Sequence, residues 1–179
     1  MPATESGLMN LKNDSPTIGI VGSNGFLGSA LIEQSQKSGL NVVSIGRTAP
    51  EMKITHLYMD FTQPDGINLH AIQNLDVLVY CIKLNNCPLG CFNDLTEEKN
   101  LKTLISALNS LSVKLVYVST GSVYPMLDRP SLESDAIPHN RGKNDYLMNK
   151  YKEKSLLKMS HKTSQSLDFY HLATIFVVA

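Results

Sequence analysis

The sequence predicts a doubly wound α/β domain, in which a parallel β-sheet is covered by helices on both faces. Six short runs along the chain are apolar throughout, which is typical of parallel strands buried on both faces. Stretches with helical spacing separate most of these runs, and the first run ends in a glycine-rich turn. The 179 residues, of which 42% are hydrophobic, suit a single domain with a sizeable core.

The predicted elements follow one another along the chain. Residues 1–15 are polar without an apolar period and are expected to form a flexible leader, so that the domain spans 16–179. Strands are predicted over 17–21, 41–45, 54–59, 77–82, 113–118 and 172–178. Helices are predicted from Phe26 to a C-cap at Gly39, over 94–110, and from 142 to about 159.

Composition excludes several classes of protein. The 16 basic and 16 acidic side chains balance, which removes the electrostatic reason to expect a nucleic-acid partner. No apolar run approaches the length of about 20 residues that a membrane span needs, and the start of the chain lacks the pattern of a secretory signal. The cysteines are odd in number without a C-x-x-C pair, which favours a reducing, cytoplasmic location. The scattered histidines show no ligand spacing, so no metal site is expected.

A glycine-rich segment follows the first predicted strand. It has the pattern G-x-x-G-x-x-G and comprises Gly22, Ser23, Asn24, Gly25, Phe26, Leu27 and Gly28. Small residues there permit a tight turn, let a pyrophosphate approach the backbone and let helix and strand pack closely, so that phosphates meet the free N–H groups of the helix. The alternative is a glycine turn that only reverses the chain. The position after the first strand favours a nucleotide-binding loop.

Two further patterns indicate chemistry at the edge of the sheet. Tyr146 and Lys150 form a Y-x-x-x-K pair, which shares one face of a helix. A nearby ammonium favours the phenolate and lowers the pKa of a phenol that is otherwise about 10, too high for a base at neutral pH. Hydroxyl groups, that of Thr120 among them, crowd the end of the strand predicted over 113–118. Taken alone, each pattern has an ordinary alternative, namely a solvated Tyr/Lys face and a polar turn that caps the strand.

In this order and at these separations, the three patterns resemble the extended short-chain dehydrogenase/reductase family. That family includes the NAD(P)-dependent nucleotide-sugar epimerases and dehydratases. The likeness covers nearly everything from residue 17 to 178 and implies a Rossmann-type fold. By this resemblance, Tyr146 is the acid/base that moves the proton of a substrate hydroxyl while a hydride passes to or from the nicotinamide. Lys150 then binds the nicotinamide ribose and lowers the pKa of the tyrosine, and Thr120 supplies a catalytic hydroxyl.

The resemblance also implies cofactor contacts outside the glycine segment. Asp60 and Phe61 match the position after the third strand that contacts the adenine. The end of the fourth strand runs beneath the cofactor, and Lys83 stands there in place of the small residue that is common in the family. The cofactor-binding residues implied in this way are Asp60, Phe61, Cys81, Ile82, Lys83, Asn100 and Lys150.

Arg47 bears on the choice between NAD and NADP. After the second strand, an NAD-preferring site usually presents an acid to the ribose 2′-hydroxyl. Here no carboxylate follows that strand before Glu51. The guanidinium of Arg47 can pair with a 2′-phosphate. The sequence therefore favours NADP over NAD.

The sequence thus predicts an NAD(P)-dependent epimerase, dehydratase or reductase domain that acts on a nucleotide sugar or a related hydroxyl or carbonyl compound. The alternative is a non-catalytic dinucleotide-binding or regulatory protein of the same fold. A small-molecule kinase is disfavoured because G-x-x-x-x-G-K-[ST] is missing. Since the last predicted strand reaches the end of the sequence, the C-terminal substrate lobe of the family is expected to be absent or truncated. A homodimer is suggested by analogy with relatives that pair through helices.

Overall fold

The computed structural model describes residues 15–82, 95–111 and 113–118, together with Arg129, Lys150, Glu153, Ser155 and Leu156. The strand predicted over 172–178, most of the helix predicted over 142–159, and all of the predicted leader except residue 15 lie outside these residues. The fold is therefore described from its first five strands and the two helices among them.

Five parallel strands form one sheet. The elements are β1 (Thr17–Val21), α1 (Phe26–Lys37), β2 (Asn41–Gly46), β3 (Thr55–Tyr58), a 3-10 turn (Leu69–Ala71), β4 (Val77–Tyr80), α2 (Leu95–Leu111) and β5 (Lys114–Tyr117). The strands lie in the order β3-β2-β1-β4-β5, and every neighbouring pair is parallel. The predicted parallel α/β sheet is confirmed.

The sheet grows in opposite directions from β1. The chain first moves outward through β2 to β3, and it then crosses to the other side of β1 to form β4 and β5. Such a reversal leaves a crevice outside the carboxyl ends of the two central strands, which is where open α/β sheets bind ligands. The glycine-rich segment begins directly after β1, at this crevice.

Both faces of the sheet are buried. Ile20 of β1 packs with Ile32 of α1 and Val79 of β4 in one apolar cluster. The next residue of β1, Val21, belongs to a second cluster that contains Leu104 of α2. Since successive residues of a strand point to opposite faces, α1 and α2 cover opposite sides of the sheet. This is the doubly wound arrangement that the sequence predicts.

Helix α1 ends close to the predicted position. It ends at Lys37, and Gly39 follows with φ of +73°, a conformation that glycine adopts without strain. The N–H of Leu40 donates to the carbonyl of Ser35 at 3.0 Å, and the chain continues directly into β2. Neither of the two helices described by the structure is long and apolar enough to cross a membrane.

Strand β4 is shorter than the predicted run over 77–82. Its partner β1 ends at Val21, and Gly22 then turns away with φ of +84°. The ladder stops after the N–H of Cys81 donates to the carbonyl of Val21 at 3.0 Å. Cys81 and Ile82 therefore leave the sheet at the crevice.

Candidate functional site

A cavity of about 370 Å³ opens at the carboxyl ends of β1, β2 and β3. This volume lies within the range of small-molecule sites. One wall is the glycine loop (residues 22–28), which supplies Gly22, Ser23, Asn24 and Gly25. Other parts of the wall come from segments that are distant in sequence, including Arg47, Thr48, Asp60, Phe61, Ile82 and Glu97. The fold therefore brings separately predicted residues to one place.

The glycine loop turns the chain tightly from β1 into α1. Gly22 has a positive φ, and a Cβ there would lie 2.5 Å from Cγ2 of Ile82. A Cβ on Gly28 would overlap the carbonyl oxygen of Gly22 and lie 2.9 Å from Cα of Ser23. The first turn of α1 thus packs directly on the backbone that leaves β1, and a side chain at residue 28 would prevent this approach.

Helix α1 presents its N-terminus at the cavity. The N-cap residue is Gly25, which lines the cavity and has no side chain to accept hydrogen bonds from the first turn. The first turn contains no acidic residue. The first N–H groups of a helix have no partner within the helix and carry the positive end of its dipole. This end of α1 therefore suits an anion.

The glycine loop is tied to the turn after β2. The N–H of Gly22 donates to the carbonyl of Ile45 at 3.1 Å, and Nδ2 of Asn24 donates to the carbonyl of Thr48 at 2.9 Å. Arg47 lies between these two anchor points in sequence and lines the cavity. A ligand on the glycine loop would consequently have Arg47 on the wall of the same cavity.

The turn after β3 is held from two directions. Oδ1 of Asp60 accepts hydrogen bonds from the N–H and the hydroxyl of Thr62 at 2.9 and 2.7 Å. From α2, Nδ2 of Asn100 donates to the carbonyls of Phe61 and Gln63, both at 2.8 Å. Asn100 is 3% exposed and does not line the cavity. Its amide thus fixes the backbone beside Asp60.

Lys150 is buried beside the ends of β4 and β5. Its Nζ donates to the carbonyl of Ile82 at 3.0 Å, to the carbonyl of Val118 at 3.4 Å and to Oε2 of Glu153 at 2.8 Å. The Tyr117 hydroxyl donates to the same carboxylate oxygen at 2.6 Å. Lys150 and Glu153 are 5% and 0% exposed. The fold thus places a paired ammonium at the carboxyl edge of the sheet.

A match to a family model shows to which protein family this chain is related. The model describes the NAD dependent epimerase/dehydratase family and matches residues 18–172. The chain belongs to this family. The resemblance that the sequence motifs indicated is confirmed. No curated protein sequence matches the chain.

Solved structures of epimerases and related enzymes share the fold of this family member. MoeE5 in complex with UDP-glucose and NAD has a TM-score of 0.67 at 21% identity, with 86% of this chain and 52% of that chain covered. The UDP-N-acetylglucosamine 4-epimerase from Bacillus cereus has a TM-score of 0.66 at 19% identity, with 87% and 54% covered. The UDP-glucuronic acid 4-epimerase from Bacillus cereus in complex with NAD has a TM-score of 0.69 at 19% identity, with 88% and 56% covered. The chain spans about half the length of these structures.

Eight of the site residues predicted from the sequence of this epimerase/dehydratase-family chain line the cavity, namely Gly22, Ser23, Asn24, Gly25, Arg47, Asp60, Phe61 and Ile82. Phe26 starts α1 with 79% of its surface exposed, and Leu27 after it is half-buried. Cys81 packs with the apolar cluster on the α1 side of the sheet and does not line the cavity. Three predicted residues lie outside the described residues, namely Lys83, Thr120 and Tyr146.

Sequence reasoning missed several polar residues at the cavity. Thr48 and Thr62 line it directly after β2 and β3, and the only signal was a hydroxyl close behind a strand end. Glu97 also lines the cavity although it is 6% exposed. An acid in the first turn of a helix is common because it stabilises the helix N-terminus. The sequence alone therefore did not distinguish Glu97.

Two titratable groups near the cavity are poor acids. Burial, and then the charges of Glu153 and Glu97, raise the pKa of Tyr80 well above its usual value of 10. Burial raises the pKa of the Cys81 thiol to about 11, although the Lys150 charge partly opposes this shift. Both groups stay protonated at neutral pH. Among the residues that the structure describes, no cluster of His, Cys, Asp and Glu could hold a metal ion.

Proposed function

We propose that this domain binds a nicotinamide dinucleotide and supports epimerase or dehydratase chemistry on a nucleotide sugar. The observation that carries the proposal is the glycine loop, where the N-terminus of α1 opens on the cavity without a side-chain cap or an acid. Membership of the NAD dependent epimerase/dehydratase family supports it. So does the fold shared with MoeE5, which was solved with UDP-glucose and NAD.

The residues that line the cavity suit successive parts of a dinucleotide that lies along the carboxyl edge of the sheet. The pyrophosphate would lie on the glycine loop, where the N–H groups of α1 are available. The adenosine would extend past Arg47 towards Asp60 and Phe61, and the nicotinamide towards Ile82 and Lys150. The bound dinucleotide supplies a hydride acceptor and donor.

In the proposed chemistry, Tyr146 moves the proton of a substrate hydroxyl and Thr120 holds that hydroxyl in place. A phenol needs a nearby cation to act as a base at neutral pH. Lys150 is the cation, and the Ile82 carbonyl and Glu153 hold its ammonium at the end of the sheet. Segments that contact the nucleotide sugar would also exclude water from the reacting groups.

The second candidate is a dinucleotide-binding protein without turnover. The three donors of the Lys150 ammonium are all used within the protein, on two carbonyls and one carboxylate. A contact to a ribose hydroxyl would have to replace one of them, and the 3.4 Å bond to Val118 is the weakest. Conversion of UDP-glucose or UDP-glucuronic acid in the presence of NAD or NADP distinguishes the two candidates. A homodimer and a cytoplasmic location stay predictions from the sequence.

Tyr146→Phe tests the assignment of the acid/base. We expect it to lower turnover of a nucleotide sugar by about 100-fold or more, because general acid–base catalysis contributes at least this factor. Dinucleotide affinity should change little, since the phenol acts on the substrate. Paired measurements of kcat and of dinucleotide Kd check this. Full turnover in the variant would contradict the mechanism, and tight dinucleotide binding without turnover in the wild type would favour the second candidate.

Arg47→Ala tests the proposed preference for NADP. If the guanidinium pairs with the 2′-phosphate, the variant should bind NADP about 10-fold more weakly and NAD almost unchanged, as expected for loss of a charge-assisted hydrogen bond. Calorimetric titration of both dinucleotides into both proteins measures this. Tighter binding of NAD by the wild type, with no effect of the substitution, would show that the site prefers NAD, as the NAD-bound neighbours suggest.

A further inference from the structure

Three hydrogen-bonded side chains connect β3 through β2 to the glycine loop. Ser23 Oγ lies 2.7 Å from Ser44 Oγ, which in turn lies 2.9 Å from Nδ1 of His56. Ser44 of β2 and His56 of β3 are direct partners in the sheet register. Ser44 is fully buried, and Ser23, which is 2% exposed, lines the cavity. One end of this chain of side chains is therefore a residue that lines the cavity.

The number of hydrogen atoms restricts how the chain can be arranged. Each serine hydroxyl has one hydrogen to donate, and neutral imidazole has its hydrogen on either Nδ1 or Nε2. Ser44 lies between the other two groups and can donate to only one of them. The Ser44 oxygen could accept from both, but Ser44 is fully buried and a buried hydrogen without an acceptor is costly, so Ser44 donates to one neighbour and accepts from the other.

The position of the His56 hydrogen selects between two arrangements. If Nδ1 is bare, Ser44 must donate to it and Ser23 must donate to Ser44, which uses the only hydrogen of Ser23. If Nδ1 carries a hydrogen, it donates to Ser44, Ser44 donates to Ser23, and the hydrogen of Ser23 is available to the cavity. Both arrangements keep the two hydrogen bonds, but only the second gives the glycine loop an additional donor for an anion.

We propose that Ser23 donates a hydrogen bond to the pyrophosphate of the bound dinucleotide, and that His56 orients this hydroxyl through Ser44. The inference rests on the proposed function, because the anion is the dinucleotide placed on the glycine loop. Ser23 is then a binding residue, whereas Ser44 and His56 are positioning residues. Because an anion on the loop stabilises the arrangement with hydrogen on Nδ1, binding must by linkage increase the fraction of His56 in that tautomer.

The tautomer of His56 can be measured directly. If Ser44 and His56 only stabilise the fold, dinucleotide binding should leave this tautomer unchanged. In protein with ¹⁵N-labelled histidine, long-range ¹H–¹⁵N correlation spectra separate protonated from bare ring nitrogens. On saturation with NAD or NADP, the Nδ1 signal of His56 should shift towards the protonated value and its Nε2 signal towards the bare value. His56→Gln assigns the signal. His70, which is exposed on the 3-10 turn, is the internal control and should not respond.

Serine variants separate binding from positioning. Ser23→Ala should weaken dinucleotide binding about 10-fold, as expected for loss of a hydrogen bond to a charged group. Ser44→Ala should abolish the tautomer response of His56 at saturating dinucleotide, because the link is removed. Ser106→Ala, on the exposed side of α2, is the matched control and should change neither quantity. If Ser44→Ala fails to fold, the His56 tautomer of the wild type and the dinucleotide affinity of Ser23→Ala still test the proposal.

The outcomes distinguish this inference from the proposed function. If the wild type binds neither dinucleotide, the proposed function is wrong and this inference is wrong with it. If the wild type binds a dinucleotide but the His56 tautomer does not change, or Ser23→Ala binds with wild-type affinity, only this inference is overturned. A tautomer shift together with weakened binding in Ser23→Ala supports both.

Discussion

Gly28→Ala should weaken dinucleotide binding by at least 100-fold and lower the free energy of unfolding by about 1–3 kcal/mol, the usual cost of overpacking. The added Cβ would overlap the carbonyl oxygen of Gly22 and meet Cα of Ser23 at 2.9 Å. These are backbone atoms, which cannot rotate away as a side chain can. The start of α1 must therefore move off the end of β1, and its N–H groups lose their alignment with the pyrophosphate.

Gly46→Ala is the matched control for the effect of Gly28→Ala on stability. Gly46 is the last residue of β2 and also lies at the cavity, but a Cβ there would meet no atom within 4 Å. The free energy of unfolding of the Gly46→Ala variant should stay within about 0.5 kcal/mol of the wild-type value, as for substitutions away from packed positions. Urea unfolding and calorimetric titration measure both variants. Wild-type affinity in Gly28→Ala would show that the pyrophosphate does not lie on this loop.

Glu153→Leu should lower the free energy of unfolding by about 3–5 kcal/mol, the usual cost of removing one partner of a buried ion pair. The ammonium of Lys150 is 2.8 Å from Glu153, and both residues are almost completely buried. The substitution also removes the oxygen that accepts the hydrogen bond of the Tyr117 hydroxyl. Since domains are stable by only about 5–15 kcal/mol in total, this loss is a large fraction.

A double substitution identifies the buried charge as the cause. Lys150→Met combined with Glu153→Leu removes both charges, so its unfolding free energy should lie well above that of Glu153→Leu alone. Glu33→Gln breaks the exposed ion pair with Lys37 and should change stability little, because solvent screens such pairs. Urea unfolding curves of the three variants give the comparison. If the double variant is as unstable as Glu153→Leu, the charge of Lys150 is not the cause.

Several features of the fold were predictable because they depend on local sequence. Runs that are apolar throughout require burial on both faces, and this indicated the parallel sheet between two helical layers. The C-cap of α1 is Ser38, one residue before the predicted Gly39, and Gly39 then adopts the left-handed backbone that favours glycine after a helix. The glycine loop was recognisable for the same reason, because the turn at Gly22 and the close approach at Gly28 exclude other residue types.

The roles of individual side chains were less predictable. The resemblance implies a cofactor role for Asn100, but its amide donates to the Phe61 and Gln63 carbonyls and does not line the cavity. Cys81 is next to Ile82 in sequence, but it packs with the apolar cluster on the α1 side, whereas Ile82 lines the cavity. The direction of each side chain depends on where β4 leaves the sheet, and the end of its partner β1 determines this position.

Over the residues that the structure describes, the sequence by itself determined the succession of strands and helices along the chain, the parallel type of the sheet and the position of the glycine loop at the carboxyl end of the first strand. These properties follow from the spacing of apolar residues and from the few residue types that a tight turn tolerates. Only the tertiary structure decided which polar groups meet. Ser23, Ser44 and His56 are separated by 21 and 12 residues, and they are joined because the register of β2 and β3 and the turn of the loop bring them together. The spacing of Lys150 and Glu153 was visible in the sequence, but their burial beside Tyr117 depends on packing against β5, which local sequence does not encode.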